Sequence, residues 1–199
     1  MVFLAKFFLG NSEFLVLEGV YSPREDSELL AAALKVSKVA SVLDMGCGTG
    51  IQGLQAILLG AGFVCFADAN PKALANARKN FSLLKKQGFN AKAKFVKTNL
   101  FSNVKRKFDF IVFNPPYVPS ENKKFLDLDG GEKGRDVLDS FLKQAPKFLL
   151  PGGKIFFLQS SLNGLARTKK ILKEKNLKFR IVARQKLFFE ELVVFCAWK

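Results

Sequence analysis

Seven strand-like runs punctuate the chain, several of them apolar from end to end: SVLDM (41–45), GFVCFAD (62–68), AKFVKT (93–98), FDFIVFN (108–114), GKIFFLQ (153–159), LKFRIVAR (177–184) and ELVVFCAW (191–198). A strand without polar alternation has both faces covered, the condition of a parallel sheet between helical layers. Helical patterns lie between the runs. Asn70 is a good N-cap with Pro71 at the first helical position, and Leu74, Ala77, Phe81 and Leu84 recur on one face. A second pattern carries Val137, Leu138, Phe141, Leu142, Ala145, Phe148 and Leu149; Pro146 should kink or split it, and LPGG (150–153) should stop it. No helix separates the last two runs. The order predicts one doubly wound α/β domain over residues 1–199, its parallel sheet closed by an antiparallel strand.

The first twenty residues, MVFLAKFFLGNSEFLVLEGV, are apolar enough to raise a signal peptide. Lys6 interrupts the run, and Glu13 and Glu18 follow without a small-residue cleavage site, so two short strands joined at Gly10-Asn11-Ser12 are expected instead. No other stretch approaches the roughly 20 apolar residues of a membrane span. A soluble, cytoplasmic protein is expected. The three cysteines, Cys47, Cys65 and Cys196, include no CxxC pair, so neither a disulfide framework nor a metal site is suggested. Histidine is absent, which removes Ser-His and Cys-His nucleophile pairs.

Lys and Arg number 32 against 17 acidic residues, a formal charge of +15. From Lys154 to Lys186 there are ten basic residues and one acidic, Glu174. That asymmetry leaves nucleic acid or an acidic partner open, beside a simple solubilising role.

SVLDMGCGTGIQG places Gly46, Gly48 and Gly50 between a strand and a helix, where glycines allow a tight turn and close backbone approach of a nucleotide-like cofactor. GTGIQG (48–53) also satisfies the dinucleotide pattern GxGxxG, but the strand ends at Met45, so D-x-G-x-G-x-G from Asp44 is the register that abuts it. Asp68, ending the second strand, should accept hydrogen bonds from ribose hydroxyls in either register.

Asn114-Pro115-Pro116-Tyr117 breaks the fourth run at the same carboxyl edge. Two prolines fix φ and remove two donors, leaving a rigid, acceptor-rich turn. A planar NH2 group conjugated to a carbonyl or aromatic ring carries two N–H donors; the Asn114 side-chain oxygen and the Pro115 carbonyl could each accept one. The Tyr117 ring could cover its flat face. The alkylated nitrogen becomes acidic and loses its proton to water, so no histidine is needed.

This combination resembles the HemK-type glutamine methyltransferases of the short archaeal and eukaryotic branch. GVYSPREDSELL (19–30), LDMGCGTG (43–50), DANP (68–71) and FNPPYV (113–118) carry the resemblance, extended by GGEKGRDVLDSFL (130–142) and ARQ (183–185). It implies a Rossmann-like class I fold with seven strands, S-adenosylmethionine as cofactor, and Asn114, Pro115, Pro116 and Tyr117 as the catalytic motif. It also implies cofactor contacts at Asp26, Ser27, Asp44, Gly46, Cys47, Gly48, Gly50, Asp68, Ala69, Asn99, Leu100 and Asn114. Relatives usually carry Asp where this chain has Asn99, which can still accept through its amide oxygen. The implied substrate is the Gln of Gly-Gly-Gln in a class 1 translation release factor. A small zinc-binding activator is an implied partner; AKFVKT would be a sheet edge in this fold, where Lys94 and Lys97 could guard against aggregation or flank a partner's strand.

Two features keep alternatives open. Ser22 at the N-cap, Pro23 at N1 and Glu25 at N3 would make a capping box without any ligand. The NPPY motif is shared with adenine N6-methyltransferases of DNA and RNA, whose exocyclic amine presents a similar donor pair.

Overall fold

The structure is a computed structural model describing residues 2–117 and 134–199. Val118 and residues 130–133, parts of the stretches that carry the resemblance, lie outside the described residues. A hairpin of β1 (Phe3–Leu9) and β2 (Ser12–Leu17) comes first, turning at Gly10-Asn11 as its composition predicts. The strands β3 (Ser41–Met45), β4 (Phe63–Asp68), β5 (Lys92–Lys97), β6 (Phe108–Phe113), β7 (Leu149–Ser160), β8 (Lys178–Lys186) and β9 (Glu191–Trp198) follow. These seven form one sheet in the order β5-β4-β3-β6-β7-β9-β8. β9 runs antiparallel to both β7 and β8, and the remaining pairs are parallel, as expected from the order of runs.

Helices cover both faces. α1 (Glu25–Ala33), α2 (Ile51–Leu58) and α3 (Pro71–Lys86) bury Leu30, Leu54, Ala77 and Leu84 against Val42, Val64, Phe66 and Val112. α4 (Asp136–Gln144) and α5 (Leu165–Glu174) bury Leu138, Phe141, Leu142 and Leu172 against Leu43, Ile111, Phe113 and Phe157. Alternate residues of one strand, Val42 and Leu43, thus serve opposite cores. This is why the strands are apolar throughout.

Asn70 caps α3 by accepting the Lys72 N–H at 2.9 Å, with Pro71 at the first position. Pro146 has the expected effect: α4 stops at Gln144 and continues as a 3₁₀ turn, Ala145–Phe148. Two expectations are corrected. LPGG is not what stops the helical pattern, which already ends at Phe148; β7 begins at Leu149 and carries LPGG as a register irregularity opposite β6. The capping box at Ser22 does not form either. α1 starts at Glu25, its N-cap is Arg24, and no side chain caps it; Ser22 lies too far upstream to reach the orphan N–H groups.

The hairpin is held by two asparagines one turn apart on α3. Asn76 and Asn80, both fully buried, accept the N–H groups of Leu17 and Leu15 at 2.8 and 2.9 Å and donate to the Leu15 carbonyl. Asn80 also donates to the Thr49 carbonyl at 2.9 Å, tying the hairpin to the glycine loop.

Candidate active site

The crevice forms where strand order reverses. Met45 of β3 lies opposite Ala67 of β4 on one side and Phe113 of β6 on the other. The next residues, Gly46, Asp68 and Asn114, therefore emerge side by side at the carboxyl edge, where open α/β sheets bind ligands.

Gly46, Gly48 and Gly50 adopt φ of 60°, 52° and 89°, the left-handed region. A Cβ on Gly50 would press on Ala77 and one on Gly46 on Phe113, whereas Gly48 faces open space. The turn starts directly after Met45, in the D-x-G-x-G-x-G register. Gly53 lies within α2, where a Cβ would collide with Phe66 and Val64. Asp44 accepts the Gly53 N–H at 2.9 Å beneath the loop; burial drives its carboxyl well above its ordinary range, against the effect of that bond. Asp68 braces the loop from the side, taking the Gly48 N–H at 3.0 Å on one oxygen and the Asn70 N–H at 2.8 Å on the other. Cys47 is buried, and burial foremost, then the charges of Asp44 and Asp68, push its thiol upward.

Ala69, directly after Asp68, is exposed; on the next strand end Asn99 is exposed and Leu100 is half-buried with φ of 47°. A left-handed leucine costs roughly 1–2 kcal/mol. The Thr98 hydroxyl donates to the Leu100 carbonyl at 2.9 Å and holds that turn.

Asn114 Nδ2 donates to Asp26 Oδ2 at 3.0 Å and to Ser27 Oγ at 3.4 Å. A carboxylate only accepts, so this contact fixes which way the amide points. Asn114 Oδ1 is then left buried with no hydrogen-bond partner among the described residues. An unsatisfied buried acceptor costs about 1–3 kcal/mol. Asp26 is itself buried and receives the Tyr21 hydroxyl on both oxygens at 3.2 Å and the Ser27 N–H at 2.6 Å. Gln52 supports this corner from α2, donating to the Ser27 carbonyl at 2.9 Å.

Pro115 is buried, and Pro116 and Tyr117 are half-buried. The Tyr117 carbonyl accepts Asn163 Nδ2 at 3.0 Å, and Gly134, with φ of 63°, packs where a Cβ would strike both groups. Behind them, Arg135 donates to the Asn163 and Gly164 carbonyls, to Asp139 and to Thr168. Burial foremost, then nearby carboxylates, raise the phenols of both Tyr21 and Tyr117, so both remain protonated at physiological pH. A cavity of about 240 Å³ opens here, lined by Tyr21, Arg24, Glu25, Asp26, Tyr117, Leu187, Glu190 and Leu192.

The expected residues thus converge from four strand ends and the start of α1. Those not anticipated are Tyr21, Gln52, Asn163, Leu187 and Glu190, which reach the site from elements far apart in sequence. Tyr21 stood inside GVYSPREDSELL and Gln52 inside GTGIQG, whereas Asn163, Leu187 and Glu190 stood in no motif.

The methyltransferase small-domain family matches residues 11–189. The chain belongs to that family. It is similar to a Methanocaldococcus jannaschii protein provisionally named protein N5-glutamine methyltransferase, at 40% identity over 90% of this chain and 92% of that one. It is also similar to the human methyltransferase HEMK2, at 32% identity over 80% of each chain. Among solved structures, the E. cuniculi Mtq2–Trm112 complex, described as responsible for methylation of the eRF1 translation termination factor, matches with a TM-score of 0.68 at 26% identity, covering 91% of this chain and 99% of that one. These relatives place the chain in the HemK-type branch of the methyltransferase family.

The enzyme is S-adenosylmethionine-dependent. Its residues fit that group: open space over Gly48 admits a ligand against the loop backbone, and the Asp68 carboxylate stands beside that loop. Among the described residues, no group of three or more His, Cys, Asp or Glu could hold a metal ion. No helix among them is long and apolar enough to cross a membrane.

Proposed function

We propose that this methyltransferase modifies the side-chain nitrogen of glutamine in the Gly-Gly-Gln motif of a class 1 translation release factor. The observation that carries the reading is Asn114 Oδ1, a buried acceptor without a partner in a turn that presents no backbone donor at Pro115 or Pro116. A primary amide supplies the two N–H groups this arrangement lacks, one for Asn114 Oδ1 and one for the Pro115 carbonyl. Asp26 and Ser27 hold the Asn114 amide so that its oxygen faces the substrate, and Tyr117 covers the amide plane. Holding a weak nucleophile in line is the main rate contribution asked of the protein. S-adenosylmethionine supplies a methyl group on a positively charged sulfur. As the N–C bond forms, the S–CH3 bond would break with its electron pair left on sulfur, so that S-adenosylhomocysteine leaves, and the methylated nitrogen gives up one amide proton to water.

Cofactor contacts are assigned to the loop Gly46, Cys47, Gly48 and Gly50, to Asp44 beneath it, to Asp68 and Ala69 beside it, and to Asn99 and Leu100 at the adjacent turn. Asp26 and Ser27 are assigned to the cofactor as well, and Asn114 to both the cofactor and the substrate amide. We assign the whole of residues 1–199 to one catalytic domain acting in the cytoplasm. We assign a small zinc-binding activator to β5, the edge strand of the sheet among the described residues, where Lys92, Lys94 and Lys97 are exposed.

The test is transfer of labelled methyl from S-adenosylmethionine to a release factor carrying Gly-Gly-Gln, beside its Gln→Ala variant and total RNA, with and without a Trm112-type subunit. Label on the Gln protein alone is expected. Label on RNA alone would reassign the same turn to adenine.

A further inference from the structure

β8 and β9 are joined at Leu187-Phe188-Phe189-Glu190, a tight turn closed by the Leu187 N–H on the Glu190 carbonyl at 2.8 Å. Two-residue hairpin turns favour Asn, Asp and Gly, which take positive φ and face water. Here both tip residues are phenylalanine, neither has positive φ, and they stand 91% and 84% exposed with their rings edge to face at 4.6 Å. Neither turn geometry nor the core accounts for them. Their immediate neighbours, Leu187 and Glu190, line the cavity that Asp26 and Tyr117 also line. The two rings therefore sit at the rim of the site.

We propose that the Phe188–Phe189 tip docks the protein substrate, gripping apolar side chains on the substrate surface beside the segment that enters the cavity. This rests on the reading of the enzyme as a protein-glutamine methyltransferase and names the surface that such a substrate requires. A single amide offers little affinity, so recognition must come from contacts outside the reacting group. Exposed aromatic rings provide it, since interface anchors are enriched in large side chains with few torsions to freeze. Charge selects polypeptide over nucleic acid. Among the described residues, Glu25, Asp26 and Glu190 line the cavity against Arg24, an acidic mouth that repels phosphates and suits a neutral or basic peptide. The basic residues of α5 lie on the opposite face of the sheet from α1.

The experiment compares wild type, Phe188→Ala/Phe189→Ala, and Phe8→Ala, which removes a 64% exposed ring from the hairpin β1–β2. Each is assayed for methyl transfer to an intact release factor carrying Gly-Gly-Gln, with a Trm112-type subunit present, and for S-adenosylmethionine affinity by calorimetry. The double variant should raise KM for the release factor about 10-fold or more, the loss of an interface anchor, with kcat, cofactor affinity and melting temperature unaltered. Phe8→Ala should match wild type. Unchanged KM in the double variant overturns the inference while wild-type turnover leaves the functional reading standing. An equal rise in Phe8→Ala overturns it too. No wild-type turnover on the release factor overturns both.

Discussion

Asn114 shows how a residue's role depends on partners far along the chain. NPPY announces an acceptor-rich turn, so the direction of the chemistry was legible. The orientation of the amide was not, because Asp26, which fixes it, lies 88 positions away. Asn99 poses the opposite case: its position was readable, and its exposure leaves it able to meet a ligand from solvent. Asn99→Asp keeps an acceptor there and adds charge, so calorimetric binding of S-adenosylmethionine should be at least as tight as in wild type. Markedly weaker binding removes Asn99 from the cofactor site.

At the scale of elements, the NPPY turn is tied through Asn163 to Arg135, which joins the start of α4 to Thr168 of α5. Asp139 is 5% exposed and bonds Arg135 at 2.6 Å within the core and Arg167 at 2.6 Å on the surface side. Removing one partner of a buried pair leaves the other charge uncompensated. Asp139→Ala should therefore destabilise the fold by about 3–5 kcal/mol in urea unfolding. Arg167→Ala, removing a side chain 60% exposed, should cost less than about 1 kcal/mol. Equal losses would contradict the division between buried and surface partners. The break of α4 at Pro146 and the cap of α3 at Asn70 were legible because backbone chemistry decides them locally. The start of α1 was not: Ser22, Pro23 and Glu25 satisfy a local pattern, while Asp26 and Ser27 are drawn into contacts with Asn114 and Gln52.

Across the whole molecule, uninterrupted apolar strands foretold a sheet buried on both faces, and the carboxyl-edge location of both motifs followed from strand direction. The double service of Asn76 and Asn80 to the hairpin was hidden, since two polar residues on a helix ordinarily face water. Burial also sets how the molecule responds to pH. The Asp44 carboxyl is raised above its ordinary 3.8 in the fold, so the folded chain holds its proton more tightly than the unfolded one. Its contribution to stability is present below that range and is lost as pH rises through it. Asp44→Asn keeps an acceptor for Gly53 and removes the titration; its urea midpoint should fall less than that of wild type from acid to neutral pH. Parallel curves would contradict this. Thiol reactivity follows the same logic. Burial raises Cys47 and Cys196 and pushes Cys65 up to about 11, so iodoacetamide at mildly alkaline pH should label none in the native protein and three after unfolding. Adducts on the native protein would place a thiol at an accessible surface.

The most direct test of the amide clamp is Asn114→Ala, assayed on a release factor carrying Gly-Gly-Gln with S-adenosylmethionine affinity measured in parallel. A fall in kcat of about 100-fold or more, the scale of lost positioning, is expected with cofactor affinity retained. Turnover near the wild-type rate would show that Asn114 does not hold the reacting nitrogen.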